Sequence, residues 1–284
     1  MSDHCYATRD DFIRSIGSTS ALDSWRERDD DILSLLRSAS SAVESYCRRT
    51  GSVATFSGFG PRVGTNVYDV TRVTSVLDLD DDLLTLTSLG TREGVAESLT
   101  TWSSGTDFLL RPGRAPYRYV VPTGETAFSI PTSLKGVEVA GTWGYSNDKT
   151  TLTATVGTGG ITSGATLLPV SLVDEFSPGQ TLWVETEMML VTRVDPGRLA
   201  VVRSVNGTTA AAHNAAVAIS LVKYPVDARD ATLRIAVRRW KALEAGLTGD
   251  MGGVGMPVTS ENDTRQERAI LRSTVGHLAF ERAG

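Results

Sequence analysis

A chain of 284 residues that is 40% hydrophobic has the apolar material for a real core, arranged as one large domain or two modest ones. Its formal charge of −5 is unevenly spread: nine Lys/Arg and eight Asp/Glu lie from Asp227 onward, which leaves 19 basic and 25 acidic residues, a net of −6, in the first 226. An acidic body lacks the clustered cations that grip on phosphates needs, and no run approaches the roughly 18 apolar residues of a membrane span.

The opening residues, MSDHCYATRDDF, hold no signal-peptide core, so the expectation is a chain made and used in a cytosol. Thr8 with Asp11 three positions on forms a capping-box pattern; Phe12, Ile13 and Ile16 give the short helix its apolar face, and Gly17 stops it. Residues 18–24 read as a loop, and Trp25 leads into the clearest pattern of the chain. Over residues 30–49, Ile32, Leu35, Leu36, Ala39, Val43 and Tyr46 recur on one face of a 3.6-residue period. Acids at Asp29 to Asp31 and bases at Arg48 and Arg49 follow the helix dipole, and Gly51 is the expected stop. Cys5 and Cys47 form no metal spacing and are expected as free thiols, Cys47 buried.

After Gly51 the texture becomes β-rich, with strand-like runs at 66–70, 73–77, 83–86, 107–110, 117–121, 127–130 and 137–143 separated by breakers. The acids Asp78, Asp80, Asp81 and Asp82 lack the glycine and distal glutamate of a calcium loop, so a solvated hairpin tip is expected there. Residues 149–223 differ in composition. TATVGTGGITSGAT reads as a linker or loose strand pair, followed by strands at 181–184, 188–194, 199–205 and 216–222, with a hairpin turn at Asp195-Pro196-Gly197-Arg198. This segment is expected to be an all-β domain, a small barrel or sandwich, inserted into a core of residues 1–148 and 224–248.

A second long helix follows Tyr224-Pro225, capped by Asp227 and Asp230, with Leu233, Val237, Trp240, Leu243 and Leu247 on one face. Residues 249–284 then read as a Gly-rich linker and a last helix from Ser260 and Asp263. That helix carries Ile270, Leu271, Val275 and Leu278 as a stripe. The whole is an α+β architecture, helices packed on a small antiparallel segment.

Chemical motifs are weak. The histidines His4, His213 and His277 are scattered, there is no nucleophile elbow, and the glycines of GFGPRVG and GDMGGVG are turns because they do not follow a strand and open a helix, as a phosphate-cradling loop would. His213 and Glu187 are expected to pin a long loop rather than form a catalytic or metal pair. Arg229, Arg234, Arg238, Arg239 and Lys241 make a basic helix; solvated or interprotomer salt links are the expected use, DNA binding the alternative.

With these segments in order, the chain resembles the head–tail adaptor (connector) proteins of long-tailed bacteriophages. The likeness lies in Tyr6-Ala7-Thr8, Tyr46-Cys47-Arg48-Arg49, Val67-Tyr68-Asp69 and Val73-Thr74-Ser75-Val76. It continues in Leu109-Leu110-Arg111-Pro112 with Pro116-Tyr117, and above all in Val139-Ala140-Gly141-Thr142-Trp143-Gly144-Tyr145. It spans roughly residues 6–148 and 224–247, with 149–223 interrupting where the family runs directly into a helix. Parts of 149–223 are similar to small β modules of phage tail and neck proteins.

The resemblance implies a structural virion protein without catalytic residues or cofactors. It would form a ring, about twelve-fold, under the portal, joined to the neck and tail and passing double-stranded DNA without tight binding. Its place would be the virion, after assembly in the host cytoplasm. The C-terminal helix is expected to be the portal-docking arm, through Arg265, Arg268, Ile270, Leu271, Arg272, Val275, Leu278 and Phe280. Alternatives are another neck or tail-completion protein, or a carbohydrate-binding or hydrolytic β protein. The last is disfavoured because no acid pair clusters on an aromatic-lined strand.

Overall fold

The computed structural model describes residues 4–17, 27–50, 58–69, 76–92, 97–123, 136–248 and 261–276. The expected loop at 18–24, the strand at 127–130, the stop at Gly51 and the linker at 249–255 lie outside the described residues. The fold is mixed α+β with two antiparallel six-stranded sheets, neither closed into a barrel. Two compact units emerge, one of Met1–Ser52 with Asp148–Gly284 and one of Val53–Asn147. The expected grouping was different: the helices share their unit with the second sheet rather than with the first.

In the unit of residues 53–147, β1 (Arg62–Tyr68), β2 (Leu77–Thr91), β4 (Phe108–Arg111), β5 (Tyr117–Pro122) and β6 (Val137–Trp143) lie in the order β1-β6-β2-β5-β4, and β3 (Thr100–Trp102) pairs with β2. Alternate residues Val137, Val139 and Trp143 of β6 meet Leu77, Leu79, Leu83, Leu89, Phe108 and Val120 in one core. Gly141 breaks the series for a reason of space. A Cβ there would fall 2.2 Å from the Thr85 carbonyl oxygen, so only glycine lets β2 and β6 approach.

Chain entry and exit of this unit are clasped together. Arg62 pairs with Trp143, and the Tyr145 N–H donates to the Gly58 carbonyl at 3.2 Å. Gly144, at φ +135°, leaves no room for a side chain against the Gly60 carbonyl.

The acidic run is not a hairpin tip. It lies inside β2 at a bulge where the register to β5 jumps between Asp78 and Leu83. Asp78 and Asp80 face solvent, but Asp81 and Asp82 are buried. Asp81 accepts the Asp82 N–H at 2.9 Å, and Arg118 donates to Asp82 Oδ1 at 3.2 Å. A bulge turns two adjacent residues inward, which a period-2 reading does not anticipate.

The other unit is built around β10 (Glu187–Asp195), whose first five residues are all buried. Its sheet runs β7 (Lys149–Thr155), β12 (Ala218–Val222), β9 (Thr181–Val184), β10, β11 (Arg198–Val202), β8 (Leu167–Pro169). A lone bridge from Val156 to Val170 brings the two edges together without extending into a ladder. Met189 and Val191 point to one core with Ala154, Val156, Ile161, Leu168, Leu182 and Leu199. Of the expected loose segment, residues 153–155 end β7, and the turns that follow are pinned by bridges at Val156 and Ile161, both buried in this core.

Met188 and Leu190 point the other way, with Val205 and Val222, toward the helices. A strand buried on both faces reads as a continuous apolar run, here Met188-Met189-Leu190-Val191.

Of the helices, α2 lies on that second face, and α1 and α3 pack against α2. In α1 (Arg9–Ser15) the capping box forms as expected, Thr8 Oγ1 accepting the Asp11 N–H at 3.1 Å and Asp11 Oδ2 the Thr8 N–H at 3.2 Å. In α2 (Asp29–Thr50), Ile32, Leu36, Ala39, Val43 and Cys47 are buried. In α3 (Val226–Thr248) the buried stripe is displaced from the expected one. Of the expected residues Leu233 and Trp240 are buried, Val237 is half-buried and Leu243 is 40% exposed, while Ala228, Ala231, Thr232, Ile235 and Ala236 go fully inside. Small residues let α2 and α3 pack closely, and that contact outweighs the larger side chains on the neighbouring face.

Candidate functional site

The expected docking arm is α4 (Glu261–Thr274), and it packs along α3. Leu271 and Val275 are buried against the body and Ile270 is half-buried, so the described part of the apolar stripe is already covered by the chain's own helices. Gly276 sits near the hydroxyl of Tyr46 on α2. Arg265, Arg268 and Arg272 remain exposed on the outer face, whereas Leu278 and Phe280 lie outside the described residues. Sequence periodicity finds such a stripe but not its partner. Glu267, which fixes the helix by accepting two hydrogen bonds from Arg239, went unnoticed in the sequence.

The basic helix resolves into two groups. Arg229 reaches Asp11 at 3.4 Å and Arg239 is held by Glu267. Arg234, Arg238 and Lys241 instead line an open hollow of about 380 Å³ with Ser15 at its rim and Leu233 and Val237 as its apolar floor.

Glu187 and His213 are hydrogen-bonded partners that pin a loop, as expected. His213 Nε2 lies 2.9 Å from Glu187 Oε2, and its Nδ1 lies 2.6 Å from Glu185 Oε2. Arg203, not singled out in this role from sequence, donates Nε and Nη2 to the two oxygens of Glu187, both at 2.6 Å. It also donates to the carbonyls of Thr162, Ala165 and Ala211. Glu187 further accepts the N–H groups of Ser204 and Ala211. Burial alone would raise the Glu187 carboxyl, but the Arg203 fork, the Ala211 N–H and His213 outweigh it and hold it down to about 2. Glu187 and His213 are shielded from solvent while Glu185 is half-exposed, and the group ties the 203–213 loop to the start of β10.

A second knot was invisible in the sequence because its members are far apart. His4 Nε2 meets Glu44 Oε1 at 2.7 Å, and the same oxygen accepts the Tyr6 hydroxyl at 2.5 Å. His4 Nδ1 lies 3.2 Å from Asn206 Oδ1, and the rings of His4, Tyr6 and Tyr224 cluster, with Tyr6 edge-on to Tyr224 at 4.9 Å. This ties the N-terminal segment to α2 and to the 3-10 turn Val205–Gly207. Burial pushes the Cys5 thiol beside it up to about 12, with Arg37 pulling weakly the other way.

Among the described residues, no three His, Cys, Asp or Glu gather in a way that could hold a metal, and no helix is long and apolar enough to cross a membrane. Compared with protein-family models, curated proteins and solved structures, the chain matches none.

Proposed function

We propose that the chain is a structural subunit of the head–tail adaptor ring of a long-tailed bacteriophage, seated under the portal and joined to the neck and tail. The observation that supports this is the serial order of the resembling motifs, several of them at the boundary of an element. Tyr46-Cys47-Arg48 lies at the end of α2, Val67-Tyr68 at the end of β1, and Leu109-Leu110-Arg111 in β4 before Pro116-Tyr117 opens β5. Trp143-Gly144-Tyr145 ends β6 at the clasp. Function on this reading lies in surfaces, with no catalytic residue and no cofactor.

The portal would meet the outer ridge of α4, Arg265, Arg268 and Arg272, because Leu271 and Val275 are spent inside. The acidic body would let the genome pass without binding it, since like charge around a conduit gives phosphates nothing to pair with. The test is to mix the purified chain with portal assemblies of the same virion and image them by electron microscopy. Rings of the chain on the portal are expected, and their loss when the three ridge arginines become Glu. A chain that never joins the portal overturns the proposal.

A further inference from the structure

We infer that the hollow on α3 receives the acidic start of α2 from a second copy of this chain. Arg234, Arg238 and Lys241 surround a floor made by Leu233 and Val237. An apolar floor beneath cations excludes water from one side of any pair formed over it, so such a pair is worth more than one on open surface. It also fits poorly to duplex DNA, which presents a long array of phosphates and asks for cations spread along it rather than around one small hollow.

The complementary group lies in the same compact unit. Glu27, Asp30 and Asp31 are all exposed where α2 begins, while Asp29 between them is buried and engaged by Arg9 at 3.0 Å. Among the described residues, neither Asp30 nor Asp31 pairs with Arg234 or Lys241 of its own chain. Each subunit therefore offers a cationic hollow and an anionic helix start that are not paired with each other, although Asp30 also lies in the field of Arg193 of its own chain. Two patches of opposite sign on one chain are what a contact between copies requires, closing as a two-fold pair or repeating around a ring. The choice of a second copy as occupant rests on the ring reading, whereas the residues come from the hollow itself.

Sedimentation of the full chain over a concentration series, at low and moderate salt, tests it. Wild type is expected to be monomeric when dilute, to associate when concentrated, and to dissociate as salt is added. Arg234→Glu with Lys241→Glu should weaken association roughly tenfold or more, as should Asp30→Lys with Asp31→Lys. Both pairs are changes of exposed side chains, and circular dichroism checks that the variants stay folded. Mixing the two reversed variants should restore association.

Reversed variants that associate like wild type, a mixture that does not recover, or a wild type that stays monomeric throughout would overturn the inference. A chain that joins the portal but fails this exchange loses the hollow contact alone. One that passes the exchange and ignores the portal loses the adaptor reading alone.

Discussion

Arg239 on α3 holds Glu267 on α4 through two parallel hydrogen bonds, Nε to Oε1 at 2.8 Å and Nη2 to Oε2 at 2.9 Å. Its remaining nitrogen donates to Ser38 Oγ on α2, also at 2.8 Å. One planar guanidinium thus ties three helices, a task that the single ammonium of lysine cannot copy. Arg239→Lys and Arg239→Ala should each loosen α4 by about 1–2 kcal/mol. Amide hydrogen exchange should rise in residues 261–276 before it rises in α2 or β10.

Glu187 sits at the centre of a saturated buried network, and removing it strands Arg203 and His213 without their counter-charge. Glu187→Ala should cost about 3–5 kcal/mol, the usual range for breaking a buried ion pair on one side. Urea unfolding followed by tryptophan fluorescence measures it. Val191→Ala in the neighbouring core is the comparison for a purely apolar loss, expected at about 1–3 kcal/mol.

The same carboxyl sets an acid limit. Its folded value of about 2 lies below the ordinary 4.5, so the unfolded chain takes up a proton first as pH falls. Stability from Glu187 is complete above about 4.5 and drains away as pH drops toward about 2. Unfolding free energies of wild type and Glu187→Gln should therefore differ most at neutral pH and converge across that acid window. A constant gap would show that the carboxyl does not titrate in this way.

How much of this was legible beforehand depended on how local each signal was. The capping box at Thr8 and Asp11, the stripe of α2, the strand Thr181–Val184 and the turn at Asp195 to Arg198 are set by neighbours in sequence, and all are present. What a stripe packs against is not local. Helix α2 lies on β10, where Met188 and Leu190 turn away from the other core, while the sequence order had put the first β segment next to α2. Arg203, Glu267 and the His4–Glu44 pair escaped notice in these roles for the same cause. Their partners lie 16, 28 and 40 residues away, beyond any periodic pattern.

The altered grouping changes what deletion should do. Arg9 donates its N–H to the Pro178 carbonyl at 2.9 Å, and Gly179 packs on the backbone of Ala7. Replacing residues 149–223 with a short linker should therefore strip α1 and α2 of their platform and abolish cooperative unfolding. Replacing residues 59–144 with a short Gly/Ser linker should leave a folded helical and β unit, because Gly58 and Tyr145 are hydrogen-bonded neighbours. Circular dichroism melts of the two deletions decide between the groupings.

Both cysteines are buried and neither is in a disulfide. With its thiol pushed up to about 12 by burial, Cys5 should stay unlabelled by a thiol reagent in the native chain at neutral pH, and Cys47 should be shielded with it. Two equivalents of label should enter only in denaturant. Rapid native labelling would mean that the N-terminal knot opens on the timescale of the reaction.

The clasp at the base of β1 and β6 also has a mechanical side. Because Arg62 and Trp143 face each other where the chain enters and leaves, tension along the polypeptide loads the ladder at one end, rung by rung, rather than all seven paired positions together. A sheet pulled in this way peels at low force, whereas one pulled along its strands resists until many bonds fail at once. In an assembly under load, the segment from Arg62 to Trp143 would then yield first and feed out slack, leaving the packing of α2, α3 and β10 unstretched.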